Sequence, residues 1–329
     1  MAIIITGAAG FIGAHVARQL LAHGHHVVGL DNLNDYYDVQ LKRDRLADIA
    51  HPNFVFHQVD FADPHALNDA LRTVEIDTIV HLGAQAGVRY SLINPTAYAQ
   101  SNLVGHLNLL ELARLRGVRQ MVYASSSSVY GNAHTLPLRV SDRVDHPISL
   151  YAATKKANEL MSESYAHLYR IPLTGLRFFT VYGRWGRPDM AMWIFAEKIL
   201  SGQPITVYNQ GQMRRDFTHI DDVVAGIVAA IHRPVVDDGL EKSGGSMAPH
   251  RILNLGNHQA EELTRVISLI ESACGRRAEV DYQPLQPGDV LETFADIRAS
   301  TADLGFAPTT PIDVGIPDFV AWLRAYRGL

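Results

Sequence analysis

One short stretch near the start constrains this chain more than any other. Residues 3–5 (Ile3-Ile4-Ile5) read as a short buried strand, and Gly7-Ala8-Ala9-Gly10-Phe11-Ile12-Gly13 follows at once, opening a helical pattern over 11–21. Glycines at this spacing let the backbone turn tightly, approach a pyrophosphate closely and pack helix against strand. The start of the helix adds free N–H groups and the positive end of a dipole. Loops collect glycine, so the triplet alone is weak evidence. Its force comes from the strand before it, the helix after it, and a second strand, 27–30, that runs into Asp31.

Gly7, Gly10, Phe11, Ile12 and Gly13 are therefore the expected dinucleotide cradle. Asp31 is expected to accept from the adenosine ribose hydroxyls and to repel a 2′-phosphate. Its neighbour Asn32 offers no compensating cation, so NAD rather than NADP is the expected cofactor. Asp60 and Phe61, at the end of the third strand, are placed toward the adenine, although Asp60 serves equally well as a cap for the following turn.

Nearly continuous apolar runs at 3–5, 27–30, 54–59, 79–82, 121–124 and 173–178 read as buried parallel strands. Helical segments at 11–21, 66–73, 97–116 and 149–169 lie between them. This alternation predicts an α/β protein, a Rossmann-type doubly wound parallel sheet. After Gly183 the rhythm breaks into Gly183-Arg184-Trp185-Gly186-Arg187-Pro188, and 233–250 reads as a loop. The expected division is a cofactor domain over 1–180, with segments near 216–232 and 250–257 returning to it. A smaller C-terminal α/β substrate lobe follows over 181–329.

The net charge of −5, with no basic tract, argues against nucleic acid and membrane surfaces as partners. Cys274 is the one cysteine, so no intrachain disulfide can form, and the sixteen histidines contain no HExxH-like pair; no metal is expected. No apolar run is long enough to span a bilayer and no signal-peptide core precedes the first strand. The expected location is the cytoplasm.

Tyr151-Ala152-Ala153-Thr154-Lys155 puts a phenol and an ammonium on one helix face. A free tyrosine titrates near 10, too high for a base at neutral pH, and a nearby lysine cation is expected to lower it. Ser126 lies at the C-terminal end of a predicted strand, where open α/β sheets present their ligands. It could hold the hydroxyl that the phenolate deprotonates. Such a pair alone is common on solvated helix faces; together with the glycine loop and the serine run it points to redox chemistry.

With these residues the chain resembles the extended short-chain dehydrogenases/reductases, and more narrowly the UDP-glucuronate 4-epimerases. The resemblance is carried by 29–37, 85–90, Ser125 to Gly131, 151–156, 176–190, the run Arg215-Asp216-Phe217-Thr218-His219-Ile220-Asp221-Asp222 and Gln286-Pro287-Gly288-Asp289-Val290. Gly83 departs from the alanine usual after His81-Leu82. The resemblance implies a UDP-sugar substrate and a hydride that leaves C4 and returns to the opposite face. It makes Tyr151, Lys155 and Ser126 catalytic, with Tyr151 and Lys155 also touching NAD. It assigns Arg215 to the diphosphate and Tyr208 to the uracil, and adds Arg89 and Asp289 to the substrate-binding set. A uronate oxidised at C4 is a β-keto acid prone to lose CO₂, so its carboxylate must be gripped; Arg187, Thr180, Ser127 and Ser128 are the expected grip. The alternatives are a UDP-glucuronate decarboxylase, a UDP-glucose 4-epimerase and a dinucleotide-binding module without turnover. A homodimer through the helices 97–116 and 149–169 is also implied.

Overall fold

The computed structural model describes residues 1–133, 135–285 and 290–329. Its strands are β1 (Ala2–Thr6), β2 (Val27–Asp31), β3 (Phe54–Gln58), β4 (Ile76–His81), β5 (Gln120–Ser126), β6 (Leu173–Phe178), β7 (Thr180–Tyr182), β8 (Ile205–Tyr208), β9 (Arg214–His219), β10 (His250–Leu255), β11 (Ala260–Glu262) and β12 (Val280–Gln283). Seven of them form one sheet in the order β10-β6-β5-β4-β1-β2-β3. Every neighbouring pair is parallel. This is the doubly wound α/β fold read from the sequence, with β10 as an edge strand beside β6.

Burial explains the continuous apolar runs. Ile4 and Ile5 point to opposite faces of β1 and are both 0% exposed, each under a different apolar layer. One layer holds the helices Phe11–Ala22 and Ile220–His232; the other holds Gly105–Arg116 and Leu150–Tyr169. The strand order reverses beside β1, so the chain leaves β1 and β4 in opposite directions. Between their C-terminal ends lies the crevice where such sheets bind ligands.

The remaining strands make smaller sheets, β11-β9-β7 and the parallel pair β12-β8. A separate apolar cluster packs them against Ala191–Leu200, Leu263–Cys274 and Ile312–Arg327, with Trp193 and Phe319 buried at its centre.

One helix differs from expectation. The segment 97–116 is helical from end to end, as expected, but not uniform: the turn Pro95–Tyr98 runs into a π-helical stretch, Ala99–Val104, before Gly105–Arg116 continues as an α-helix. The extra residue in that turn carries Asn102 inward. Its side chain accepts the N–H of Gln85 at 2.9 Å and donates to Gln85 O and Thr154 Oγ1, each at 3.0 Å. Periodicity is blind to this, because a single inserted residue barely disturbs an apolar stripe. π-Turns of this kind gather at functional sites, and this one props Gln85 beside the crevice and Thr154 between Tyr151 and Lys155.

Candidate active site

The crevice opens into a cavity of about 1070 Å³ that the glycine loop, the ends of β4 and β5, and the smaller sheets line together. That volume is at the upper end of single-ligand pockets.

On one side lies the glycine loop. Gly7 has φ +70, and a Cβ there would meet Gly83 Cα at 2.8 Å, so both conformation and space demand glycine. A Cβ on Gly13 would come within 2.0 Å of Gly7 O, which fits the close helix–strand packing expected of that position. Gly83 itself is filled from outside: a Cβ there would strike the Phe61 ring at 2.6 Å. The glycine that departs from the usual alanine thus makes room for Phe61.

Asp31 ends β2, buried, with Oδ2 accepting the Ala9 N–H at 3.2 Å and Oδ1 the Leu33 N–H at 2.9 Å. Burial pushes its carboxyl up, against the pull of Lys42 and these two N–H groups. Lys42 and Arg45 are the nearby cations; the Lys42 ammonium is tied to Asn34 O and Oδ1 at 2.7 and 2.8 Å, and the Arg45 guanidinium donates to Ala9 O, the Tyr37 hydroxyl, Trp185 O and Gly186 O. The corner therefore offers a carboxylate and tied cations, which suits ribose hydroxyls and not an added phosphate. Asn32 and Phe61 also line the cavity. Asp60 takes the turn-capping part: Oδ1 accepts the Ala62 N–H at 2.9 Å and Oδ2 an Asn32 Nδ2–H at 3.1 Å.

At the middle of the cavity β5 ends in Ser126, whose Oγ accepts the Ser128 N–H at 3.1 Å and so starts the 3₁₀ turn Ser127–Tyr130. The helix Leu150–Tyr169 begins opposite, capped by Ser149 Oγ on the Ala152 N–H at 3.1 Å. This brings the phenol of Tyr151 beside Ser126. Ser125, one residue earlier, turns away and donates to Glu159 Oε1 at 2.6 Å. Lys155, 2% exposed, donates from Nζ to Ala124 O at 3.0 Å.

The electrostatics correct one expectation. Burial holds the Tyr151 phenol above its ordinary value of 10, and the groups that pull it back are Ser126 and Arg187. The chain by itself does not depress the phenol; Lys155 is turned to the end of β5, and its own charge is penalised by burial to a pKa of about 8. Between about pH 8 and 10.5 the unfolded chain therefore holds a proton on this lysine that the folded chain has released. Stability contributed through Lys155 rises with pH across that window and is lost as pH falls toward 8. In urea titrations at pH 7.5 and 9.5, Lys155→Met should raise the midpoint relative to the parent more at the lower pH. An equal difference at both values would refute the buried-charge penalty.

The far side carries the cations. Thr180, Ser127, Ser128, Arg89, Tyr208, Arg187 and Arg215 all line the cavity. Arg89 lies over the Tyr208 ring, 4.5 Å from its centroid. Arg215 donates to Arg214 O and Leu291 O at 3.0 Å each and to Val290 O. Asp289 lies outside the described residues. Arg187 is not the open fork that its sequence suggested. Nε and Nη2 already grip Asp189, at 3.0 Å to Oδ1 and 2.5 Å to Oδ2, and Tyr36 donates its hydroxyl to Asp189 Oδ2 at 3.0 Å. Asp189 and Tyr36 were missed as site residues. The available signal was an acid two residues beyond an arginine across Pro188, too common a pattern to weigh. Among the described residues no cluster of potential metal ligands occurs and no helix is long and apolar enough to cross a membrane.

Comparison with known proteins places the chain. Residues 3–242 match the NAD dependent epimerase/dehydratase family. A protein of Rhizobium meliloti named "Probable UDP-glucuronate 4-epimerase" is 46% identical over 329 residues, covering 98% of this chain and 96% of that one. The crystal structure of UDP-glucuronic acid 4-epimerase from Bacillus cereus, in complex with UDP-glucuronic acid and NAD, superposes with a TM-score of 0.88 at 30% identity, covering 99% of this chain and 100% of the other. The UDP-glucose 4-epimerase of Thermotoga maritima, with UDP-glucose, also gives 0.88, at 27% identity and the same coverage. With its doubly wound sheet and a family match over more than two thirds of its length, this chain belongs to the NAD dependent epimerase/dehydratase family.

Proposed function

We propose that this protein interconverts UDP-glucuronate and UDP-galacturonate by oxidising C4 to a ketone and reducing it again from the other face, using tightly bound NAD. The observation that carries the reading is a single cavity in which Ser126, Tyr151 and Lys155 stand between a glycine-loop cradle and a mouth lined by Arg187, Arg215, Arg89 and Tyr208. The likeness to relatives named for this reaction supports it.

The residues fit NAD through the glycine loop, Asp31, Asn32 and Phe61, with Tyr151 and Lys155 on the nicotinamide side; Asp60 supports this corner by fixing Asn32. When bound, the oxidised cofactor supplies the hydride acceptor and a positive charge in the pocket. The chain's own work is to bind, orient and move one proton. Ser126 holds the sugar hydroxyl against the phenol, Tyr151 takes and returns its proton, Arg187 supplies positive charge that favours the phenolate, and Lys155 adds its own only once its ammonium leaves Ala124 O. Arg215 and Arg89 hold the diphosphate and Tyr208 faces the uracil while the sugar turns, with Asp289 as a further contact. Ser127, Ser128, Thr180 and Arg187 face the sugar's carboxylate and keep the C–CO₂ bond from aligning with the ketone.

The same reading divides the chain into a cofactor domain over 1–180, with 216–232 and 250–257 returning, and a substrate lobe over 181–329. It places the enzyme in the cytoplasm as a homodimer through the helices that expose Val104, Leu107, Leu160 and Leu168. A decarboxylase shares the first oxidation, so the deciding experiment reads products. Incubated with UDP-glucuronate and followed by NMR, the protein should give UDP-galacturonate. UDP-xylose would establish the decarboxylase instead, and an unchanged substrate would overturn the epimerase.

A further inference from the structure

Arg187 meets the cavity with its best carboxylate-binding edge already taken. The side-on edge of a guanidinium, Nε with one Nη, accepts a carboxylate through two parallel hydrogen bonds. Asp189 sits on that edge, held there by the Tyr36 hydroxyl. Arg187 and Asp189 are separated by Pro188 alone, whose fixed φ limits how far the acid can stray. The two side chains are 23% and 26% exposed, so the pair faces the cavity and is open to exchange.

We infer that Asp189 is a resident competitor for Arg187, a built-in carboxylate that the substrate's carboxylate must displace, and that this exchange sets how tightly the site holds a uronate. The inference rests on the proposed uronate chemistry and adds a specificity-determining residue to it. An unpaired arginine walled into such a cavity would be an uncompensated charge, and it would keep any anion that reached it. Asp189 cures both. Being tethered, it acts at high effective concentration, so Arg187 is neutralised between turnovers and the product's carboxylate is replaced as it leaves. A neutral sugar meets a neutral pair and gains nothing from displacing it.

The test is calorimetric binding of UDP-glucuronate and UDP-glucose to the NAD-loaded protein and to Asp189→Asn. The amide is close in size but competes poorly for the guanidinium. The affinity ratio of uronate to neutral sugar should rise about tenfold, with kcat for the uronate falling as release slows. Tyr36→Phe keeps both charges and loosens Asp189 by one hydrogen bond, so it should move the ratio in the same direction by about threefold. It also serves if Asp189→Asn fails to fold. A selective loss of uronate binding would mean that Asp189 only positions Arg187, and equal changes for both sugars, or none, would mean that it only shapes the wall; each overturns the competition. Product analysis of the parent protein separates this outcome from failure of the functional reading, because the binding ratio is read without turnover.

Discussion

Tyr151→Phe is expected to lower kcat for C4 epimerisation by about 10³- to 10⁴-fold, the upper end of what a positioned general base contributes. The substitution removes one oxygen from the middle of the cavity. That oxygen lies beside Ser126, and the ring keeps its edge-on contact with Tyr98, whose centroid is 6.1 Å away. NAD content, substrate affinity and thermal stability should therefore stay near the parent's. The neighbouring Tyr98 cannot substitute at neutral pH: burial pushes its phenol well above the ordinary value, and its hydroxyl is committed to the backbone carbonyls of Ala86 and Gly87. The check is turnover of UDP-glucuronate by purified variant and parent, with bound nucleotide quantified in each. Retained turnover in a folded, NAD-loaded variant would remove Tyr151 from the chemistry. Loss of bound NAD along with activity would make it a binding residue instead.

Why Tyr151 could be found from sequence, while its electrostatics could not, follows from what each depends on. The fold was legible because buried parallel strands must be apolar on both faces. The runs at 27–30 and 173–178 were located to within a residue for that reason. The glycine loop was legible because Gly7 and Gly13 are sites where a Cβ would collide with backbone, a constraint that a sequence records directly. The π-turn around Asn102 left no trace, because it changes hydrogen bonds without changing the apolar pattern. The Arg187–Asp189 pair was hidden for a different reason. An arginine's partner is settled in three dimensions, and the acid that claims it came from the next turn of chain, with Tyr36 arriving from the distant loop after β2. The pull on Tyr151 depends on where Lys155 aims its ammonium, and spacing along a helix does not say that.

Beneath the serine run lies the site's most exacting support, and breaking it should be the costliest single change for stability. Arg177 on β6 and Glu159 on the catalytic helix form a two-pronged ion pair at 2.8 and 2.9 Å, each side chain 1% exposed. Burial pushes the Glu159 carboxyl up, but Arg177, Ser125 and Lys156 together outweigh that and leave it below its ordinary value. The guanidinium also lies over the Tyr130 ring, 4.7 Å from the centroid, and Tyr130 donates its hydroxyl to Asn254 Oδ1 on β10 at 2.7 Å. One pair thus ties the sheet, the catalytic helix and the turn that carries Ser127 and Ser128. Arg177 Nη1 has no hydrogen-bond partner even with Glu159 in place, so no reserve exists to satisfy the cation once its partner is gone. Glu159→Ala should cost about 3–5 kcal/mol, as expected for an uncompensated buried charge, out of a total of about 5–15 kcal/mol typical of folded domains. Pairing Glu159→Leu with Arg177→Met should recover much of the loss, because an apolar pair of similar volume removes both desolvation penalties. Urea midpoints of the parent, Glu159→Leu, Arg177→Met and the double variant provide the cycle, with Glu159→Ala measured beside them. A single variant that loses under about 1 kcal/mol, the value of an exposed pair, would mean that Arg177 finds water or another acceptor on losing Glu159, and that the serine run is held in place by its own turn alone.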